Sequence, residues 1–325
     1  MTDHQRAATP AGSNAGEGLD LDEEVHFPPV ENGLDYLVSV VEHLQGDSID
    51  RRDLKYAVVH LQAAVECLLK YRLEVEHWSL VFKNPGEAKR SDLEDGSLTS
   101  CTMEQTITRL TDIAGVPITD GEKKRLKQLA QLRNQLQHYG RRHDSTVNRF
   151  LIESNAAQVL EFLVRFLDAE VMPHMAPPDW GVAEDLYLIR EGLKKIRIYV
   201  KARLGRIRPQ LEPMKSQTVR CWSCRQFAMI VGVENEARCL YCGEQGSSEG
   251  MAMSYTLQLV GVEHIVRNSG RAESPECPTC QAKALVRGAR TAAAPDSKVN
   301  LCFHCGEATA FEPCGEEKDC VTCLL

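Results

Sequence analysis

No stretch of this 325-residue chain comes near the run of about 18 apolar residues that a membrane-spanning helix needs, so helical membrane proteins are excluded. The opening stretch MTDHQRAATPAGSNAGEGLDLDEE lacks the apolar core of a secretory signal. It is polar, rich in Gly and Ala and then acidic, and residues 1–31 read as a disordered lead-in. Positive charge is in deficit: 38 Lys and Arg stand against 46 Asp and Glu, for a net charge of −8. That excludes a surface given over wholly to nucleic acid but leaves room for a local basic patch. No H-E-x-x-H or His/His/Glu grouping marks an open, hydrolytic metal site. Cysteine is nearly absent from the first 220 residues, which hold two of the 13.

The other 11 cysteines carry the most specific signal in the chain. CWSC at 221–224 and CLYCG at 239–243 form C-x2-C-x14-C-x2-C. Each C-x-x-C turn directs two sulfurs at one ion, and tetrahedral zinc needs four. Cys221, Cys224, Cys239 and Cys242 are therefore predicted to form one closed, structural zinc site, with FAMIVGV between them as a strand. CPTC at 277–280 and CFHCG at 302–306 offer a second set, Cys277, Cys280, Cys302 and Cys305. A rival pairing joins Cys302 and Cys305 to Cys320 and Cys323, again across 14 residues. The Gly after Cys305, matching the Gly after Cys242, favours the first. Cys314, Cys320 and Cys323 are then left over as a partial third site. Paired thiolates of this kind, unlike a secreted disulfide framework, imply a reducing, cytoplasmic setting.

The first half is helical by period. Leu34, Leu37, Val38, Val41 and Leu44 make one stripe, and Ala57, Val58, Leu61, Val65, Leu68 and Leu69 make the core of a longer, more apolar helix. Thr102 and Gln105 have capping-box spacing. Two more helices follow, one stopping at Gly140 and one with Phe150, Leu151, Leu160, Leu163 and Leu167 inward. Five helices with mostly short connections over 32–172 predict an antiparallel bundle. A Pro-rich break and one basic helix occupy 173–216, with Leu186, Ile189, Leu193, Ile196 and Val200 as its stripe. That helix holds eight Lys or Arg against one Glu between Arg190 and Arg208. It reads either as a solvated face or as an RNA footprint built from Arg190, Lys194, Lys195, Arg197, Lys201 and Arg203. Zinc ribbons are expected at 217–250 and, with the Cys-rich tail, at 273–325, joined by a helix over 251–272. The fold class is thus multidomain: an all-α antiparallel bundle followed by small β-rich zinc modules.

The helix LAQLRNQLQHYG contains R-N-x-x-x-H. By composition alone R-x4-H arises about as often as not, so its weight comes from position, inside the bundle's fourth long helix and beside a glycine stop. At about 100° per residue, with Arg133 at about 0°, Asn134 falls at about 100° and His138 at about 140°, while the leucines lie between about +20° and −100°. Asn134 and His138 then share a polar face, and Arg133 borders the apolar one. Such a bundle with such a motif resembles the HEPN superfamily, whose members are helical, frequently dimeric, and in many cases metal-independent ribonucleases of toxin and phage-defence systems. The resemblance covers residues 32–172, less than half the chain. It implies a homodimer with a composite site and catalytic roles for Arg133, Asn134 and His138, with Glu66 and Lys70 as accessory groups.

Two functions compete. One is a cytoplasmic endoribonuclease whose ribbons recognise its RNA target or a restraining antitoxin or regulator. The other is a non-catalytic module that binds nucleic acid or protein. In either, zinc is structural and no membrane is involved.

Overall fold

A computed structural model describes residues 27–46, 48–139, 149–233, 235–261, 265–268 and 271–311. Most of the acidic lead-in, Gly140, and Cys314, Cys320 and Cys323 lie outside these residues. The described chain divides into a helical part and a smaller β part that carries the cysteines.

The bundle is organised around α2 (Arg51–Glu76). Asp50 caps it, accepting from the Asp53 amide at 2.7 Å, while the Asp53 carboxylate accepts from the Asp50 amide. Leu61, Leu68, Leu69 and Leu73 are fully buried along it, each contributing roughly 1.5–3 kcal/mol of transfer free energy. Around α2 pack α1 (Pro29–Leu44), α4 (Met103–Asp112), α5 (Asp120–Asn134) and α6 (Arg149–Phe166), with a short α3 (Arg90–Glu94) in the connecting segment. The Thr102/Gln105 capping box forms as its spacing predicts, and Thr119 and Glu122 form another at the head of α5. In α6 the buried stripe begins only at Ile152. Phe150 and Leu151, expected inward, are exposed because the first turn of the helix overshoots the core.

The basic helix is two helices, not one. α7 (Trp180–Leu193) ends and α8 (Arg197–Leu211) begins across a bend at Ile196, which is extended and fully buried. The stripe Leu186, Ile189, Leu193 and Ile196 is buried as expected, but it serves two surfaces. α7 lies on α1 so tightly that a Cβ at Gly192 would come within 2.0 Å of Val41, whereas α8 lies on α6. A straight helix cannot meet both. The α6–α8 contact is fixed by Glu161, buried on α6, which accepts from Arg203 at 2.8 Å and Arg206 at 3.0 Å.

The β part is a seven-stranded antiparallel sheet in the order β4-β3-β2-β1-β7-β8-β9. Strands β1 (Thr218–Arg220), β2 (Phe227–Val233), β3 (Glu236–Cys239) and β4 (Gln245–Ser247) surround the first cysteine cluster. Strands β7 (Leu285–Thr291), β8 (Ala294–Cys302) and β9 (Ala308–Ala310) surround the second. The halves join where β1 pairs with β7, Val219 opposite Thr291, and where Gly232 and Gly306 meet. A Cβ on Gly232, already at φ +77°, would sit 2.4 Å from the Gly306 backbone. The segment expected as one connecting helix is α9 (Ser248–Tyr255), a widened turn to Val260, and then a hairpin of β5 (Val266–Asn268) and β6 (Arg271–Glu273).

Two features of this packing can be tested. Glu161→Ala leaves Arg203, 21% exposed, without its carboxylate; it should cost on the order of 3 kcal/mol in urea unfolding, the range for breaking a buried pair. An unchanged midpoint would mean that α8 is held otherwise. On the α1–α2 seam, His60 Nδ1 lies 2.8 Å from Ser39 Oγ, with Tyr36, His43 and Tyr56 around it. Burial, and then the charge of His43, lower its pKa from the usual 6.5. The unfolded chain therefore takes up this proton first, so the contribution is whole above pH 6.5 and is lost as the pH falls below it. His60→Gln should flatten the decline in melting temperature between pH 7 and pH 5; an identical decline would exclude His60 as its source.

Candidate functional site

Arg133 and Asn134 are the last two residues of α5, and the helix runs on through Gln135–Tyr139 as a turn closed by i→i+5 bonds. Such wide turns are rare and often accompany functional sites. They advance less per residue than an α-helix, so the 100° projection holds as far as Asn134 and overstates the angle reached by His138. The backbone of His138 lies in the wide turn, and its side chain is outside the described residues.

Arg133 reaches across to α2. One guanidinium nitrogen lies 3.6 Å from Glu66 Oε1, and the other donates to Asn134 Oδ1 at 2.9 Å. Both charges are about one-third exposed, 30% and 36%, so the pair contributes at most about 1 kcal/mol. Glu66 also accepts from Gln62 Nε2 at 2.8 Å. Lys70, one turn further along α2, donates to Ser100 Oγ at 3.0 Å. The structure thus brings together Arg133, Asn134 and Glu66, with Lys70 one turn away. Gln62 was not singled out by sequence: it is buried among the leucines of α2, and its Oε1 has no hydrogen-bond partner among the described residues. Leaving a buried acceptor unpaired costs about 1–3 kcal/mol, and this one lies beside Glu66.

The basic residues divide. Arg190 lies 3.1 Å from Asp168, Lys194 pairs with Glu191, and Arg203 with Glu161. Lys195, Arg197 and Lys201, together with Arg208, are exposed and make no ion pair among the described residues. They line a groove of about 610 Å³ with Lys194.

The eight predicted ligands gather as two clusters: Cys221, Cys224, Cys239 and Cys242, and Cys277, Cys280, Cys302 and Cys305. Within each, all sulfurs lie within 4.8 Å of one another. Cys302 and Cys305 are therefore joined to the preceding pair; the rival partners Cys320 and Cys323 lie outside the described residues. The four C-x-x-C turns share one geometry. The first Cys carbonyl accepts from the amide four residues on, and its own amide donates to the carbonyl five residues on, at 2.7–3.0 Å throughout. The fourth residue after the first Cys adopts positive φ: Arg225, Gly243, Gln281 and Gly306. Glycine relieves that strain in the second turn of each cluster.

The sulfurs fit a metal rather than a disulfide. Cys221–Cys242 and Cys224–Cys239 are 3.7 Å apart, Cys280–Cys302 3.7 Å and Cys277–Cys305 3.8 Å. A disulfide needs about 2.05 Å, whereas a tetrahedron with metal–sulfur bonds of about 2.3 Å has edges of about 3.8 Å. Each cluster can hold one metal ion. The thiols polarise one another: hydrogen bonding to Cys221 raises the pKa of Cys224 and Cys239 and lowers that of Cys242.

The first cluster is seated on the bend between α7 and α8. Lys194 Nζ donates to Ser223 Oγ at 3.0 Å, Arg203 to the Leu240 carbonyl at 3.3 Å, and the Tyr241 hydroxyl to the Leu193 carbonyl at 3.4 Å. Tyr199 and Tyr241 meet edge to face. Comparison with protein-family models, curated proteins and solved structures finds no match to this chain.

Native mass spectrometry should find an ion in each cluster, and Cys221→Ser and Cys277→Ser should each lower the metal content by at least one equivalent. A variant that keeps the full complement would exclude its cluster as a metal site.

Proposed function

We propose that the chain is a metal-independent endoribonuclease of HEPN type whose β part holds two structural zinc ions. The observation that carries this reading is the cluster of Arg133, Asn134 and Glu66 at the wide turn that leads to His138, partly open to solvent. His138, of a residue type that titrates near neutral pH, takes the proton from a ribose 2′-hydroxyl. The 2′-oxygen then bonds to the adjacent phosphorus, the bond to the 5′-oxygen breaks, and that oxygen takes the proton back from the imidazolium of His138 and departs as a 5′-hydroxyl, leaving a 2′,3′-cyclic phosphate. Arg133 offers a bidentate hold on the phosphate oxygens as charge builds on them. For this it must exchange Glu66, and a weak, half-wet ion pair makes that exchange inexpensive. Asn134 orients Arg133 and sits within reach of the same phosphate.

One motif offers one Arg and one His, and by its resemblance to HEPN proteins the reading includes a homodimer with a composite site across an isologous interface. It also includes a toxin or phage-defence role under restraint by an antitoxin or other regulator, and a cytoplasm that keeps the thiolates reduced. Zinc is the proposed metal because it favours four thiolates at this spacing in closed sites.

A second reading, a non-catalytic binding module, is favoured by the same Arg133–Glu66 pair, since it neutralises the arginine within the bundle. One experiment separates the two. RNA is incubated with the zinc-loaded protein in chelator too dilute to strip the sites, and the product ends are analysed. Cleavage to 2′,3′-cyclic ends, lowered on the order of a hundredfold or more by His138→Ala and by Arg133→Ala, is expected. Intact RNA with folded wild type, or cleavage that survives both substitutions, sinks the nuclease; retained RNA binding without cleavage establishes the module.

A further inference from the structure

The two faces of α8 carry the same charge and do different things. Arg203, and Arg206 from the rim, pair with the buried Glu161. Arg197, Lys201 and Arg208 stand at spacings of four and seven residues, which places them within about 40° of one another on the opposite side. They form a stripe about 16 Å long at 1.5 Å per residue. Lys195 and Lys194 extend it past the helix start, and among the described residues no Asp or Glu lines the groove. Val200 and Leu204 form its apolar floor, and Gln226 lines it from the loop after the first cysteine turn.

The start of α8 runs against the usual preference. Its cap, Ile196, offers no side-chain hydrogen bond, and its first turn has no acidic residue. The positive end of a helix favours anions, yet here Lys194, Lys195 and Arg197 surround it. Lys194 is offset by Glu191, but Lys195 and Arg197 have no acidic partner among the described residues, and their charges at this helix end are unfavourable until an anion arrives. The groove is also tied to the metal centre. Lys194 is bonded to Ser223 between the first two cysteines, and Gln226 Nε2 donates to the Cys224 carbonyl at 3.3 Å.

We infer that this groove binds the phosphodiester backbone of a single-stranded nucleic acid, with the first metal turn as one wall. A stripe of spaced cations matches a row of phosphates, and an apolar floor between them accepts sugar or base. A volume of about 610 Å³ suits a few nucleotides of one strand rather than a duplex. No large hydrophobic side chain is exposed in the groove to enter a membrane. The assignment goes beyond the nuclease reading and does not depend on cleavage.

The test uses zinc-loaded, full-length His138→Ala protein and a labelled 12-nucleotide poly-U RNA, read by fluorescence anisotropy, so that cutting plays no part. Arg197→Glu with Lys201→Glu should weaken binding at least tenfold and make the log–log salt slope shallower by about 1.4, about 0.7 for each phosphate no longer neutralised. Gln226→Ala, which leaves every cation in place, should weaken it severalfold. Lys83→Glu with Lys89→Glu, a matched change of charge on the exposed loop before α3, should leave both affinity and slope unchanged. Metal content and circular dichroism check that each variant is folded. Equal losses in the two charge-reversal pairs, or no binding by the parent protein, overturn the inference. So does competition by polyglutamate, or by vesicles rich in anionic lipid, as strong as that by poly-U.

Discussion

Glu161 lies inside the protein, on α6, facing two guanidinium groups of α8. Removing a carboxylate from water costs several kcal/mol unless cations and hydrogen bonds replace the lost hydration, so Arg203 and Arg206 are held there as a condition of folding. That contact sets the rotation of α8 about its axis. Once two arginines face inward, helical periodicity obliges Arg197, Lys201 and Arg208 to face out. The same Arg203 also donates to the Leu240 carbonyl in the first cysteine turn, so the rotation of α8 also helps to set the seat of the β part. One buried acid thus joins bundle, basic face and metal centre.

At the other end of the bundle a weaker pair acts in the opposite sense. Arg133 and Glu66 are close enough to hold each other and wet enough to part. The widened turn beyond Asn134 loosens the helical repeat at the point where the sequence changes from leucine-rich core to motif. Strong pairing in the interior and exchangeable pairing at the rim are the arrangement expected of a scaffold that must stay rigid while its surface side chains change partners.

Much of this was legible in the sequence because the governing interactions are local. Capping boxes depend on residues three apart, and Thr102 with Gln105 could be read directly. The cysteine turns depend on C-x-x-C and a glycine, and the choice of Cys277 and Cys280 as partners for Cys302 and Cys305 followed from Gly306. What could not be read depends on distant neighbours. The bend at Ile196 arises because α1 and α6 present surfaces in different directions to one apolar stripe. Phe150 and Leu151 fit the helical period of α6 and still face solvent, since period does not say where a core ends. Six basic residues between 190 and 203 looked equivalent, and their acidic partners told them apart: Asp168 and Glu161 on other elements, and Glu191 three residues before Lys194. Gln62 was hidden among leucines because what sets it apart, an oxygen with no partner among the described residues, depends on its neighbours in space.

The join between β1 and β7 has a bearing on solubility. A sheet edge is a row of unpaired amides and carbonyls that will accept another chain. If the two cysteine modules were separate, the seven-residue β7 would be such an edge. Joined, the sheet ends in β4 and β9, each three residues long. The join covers the Thr291 end of β7 with Val219 of β1, so at that point each module closes an edge of the other.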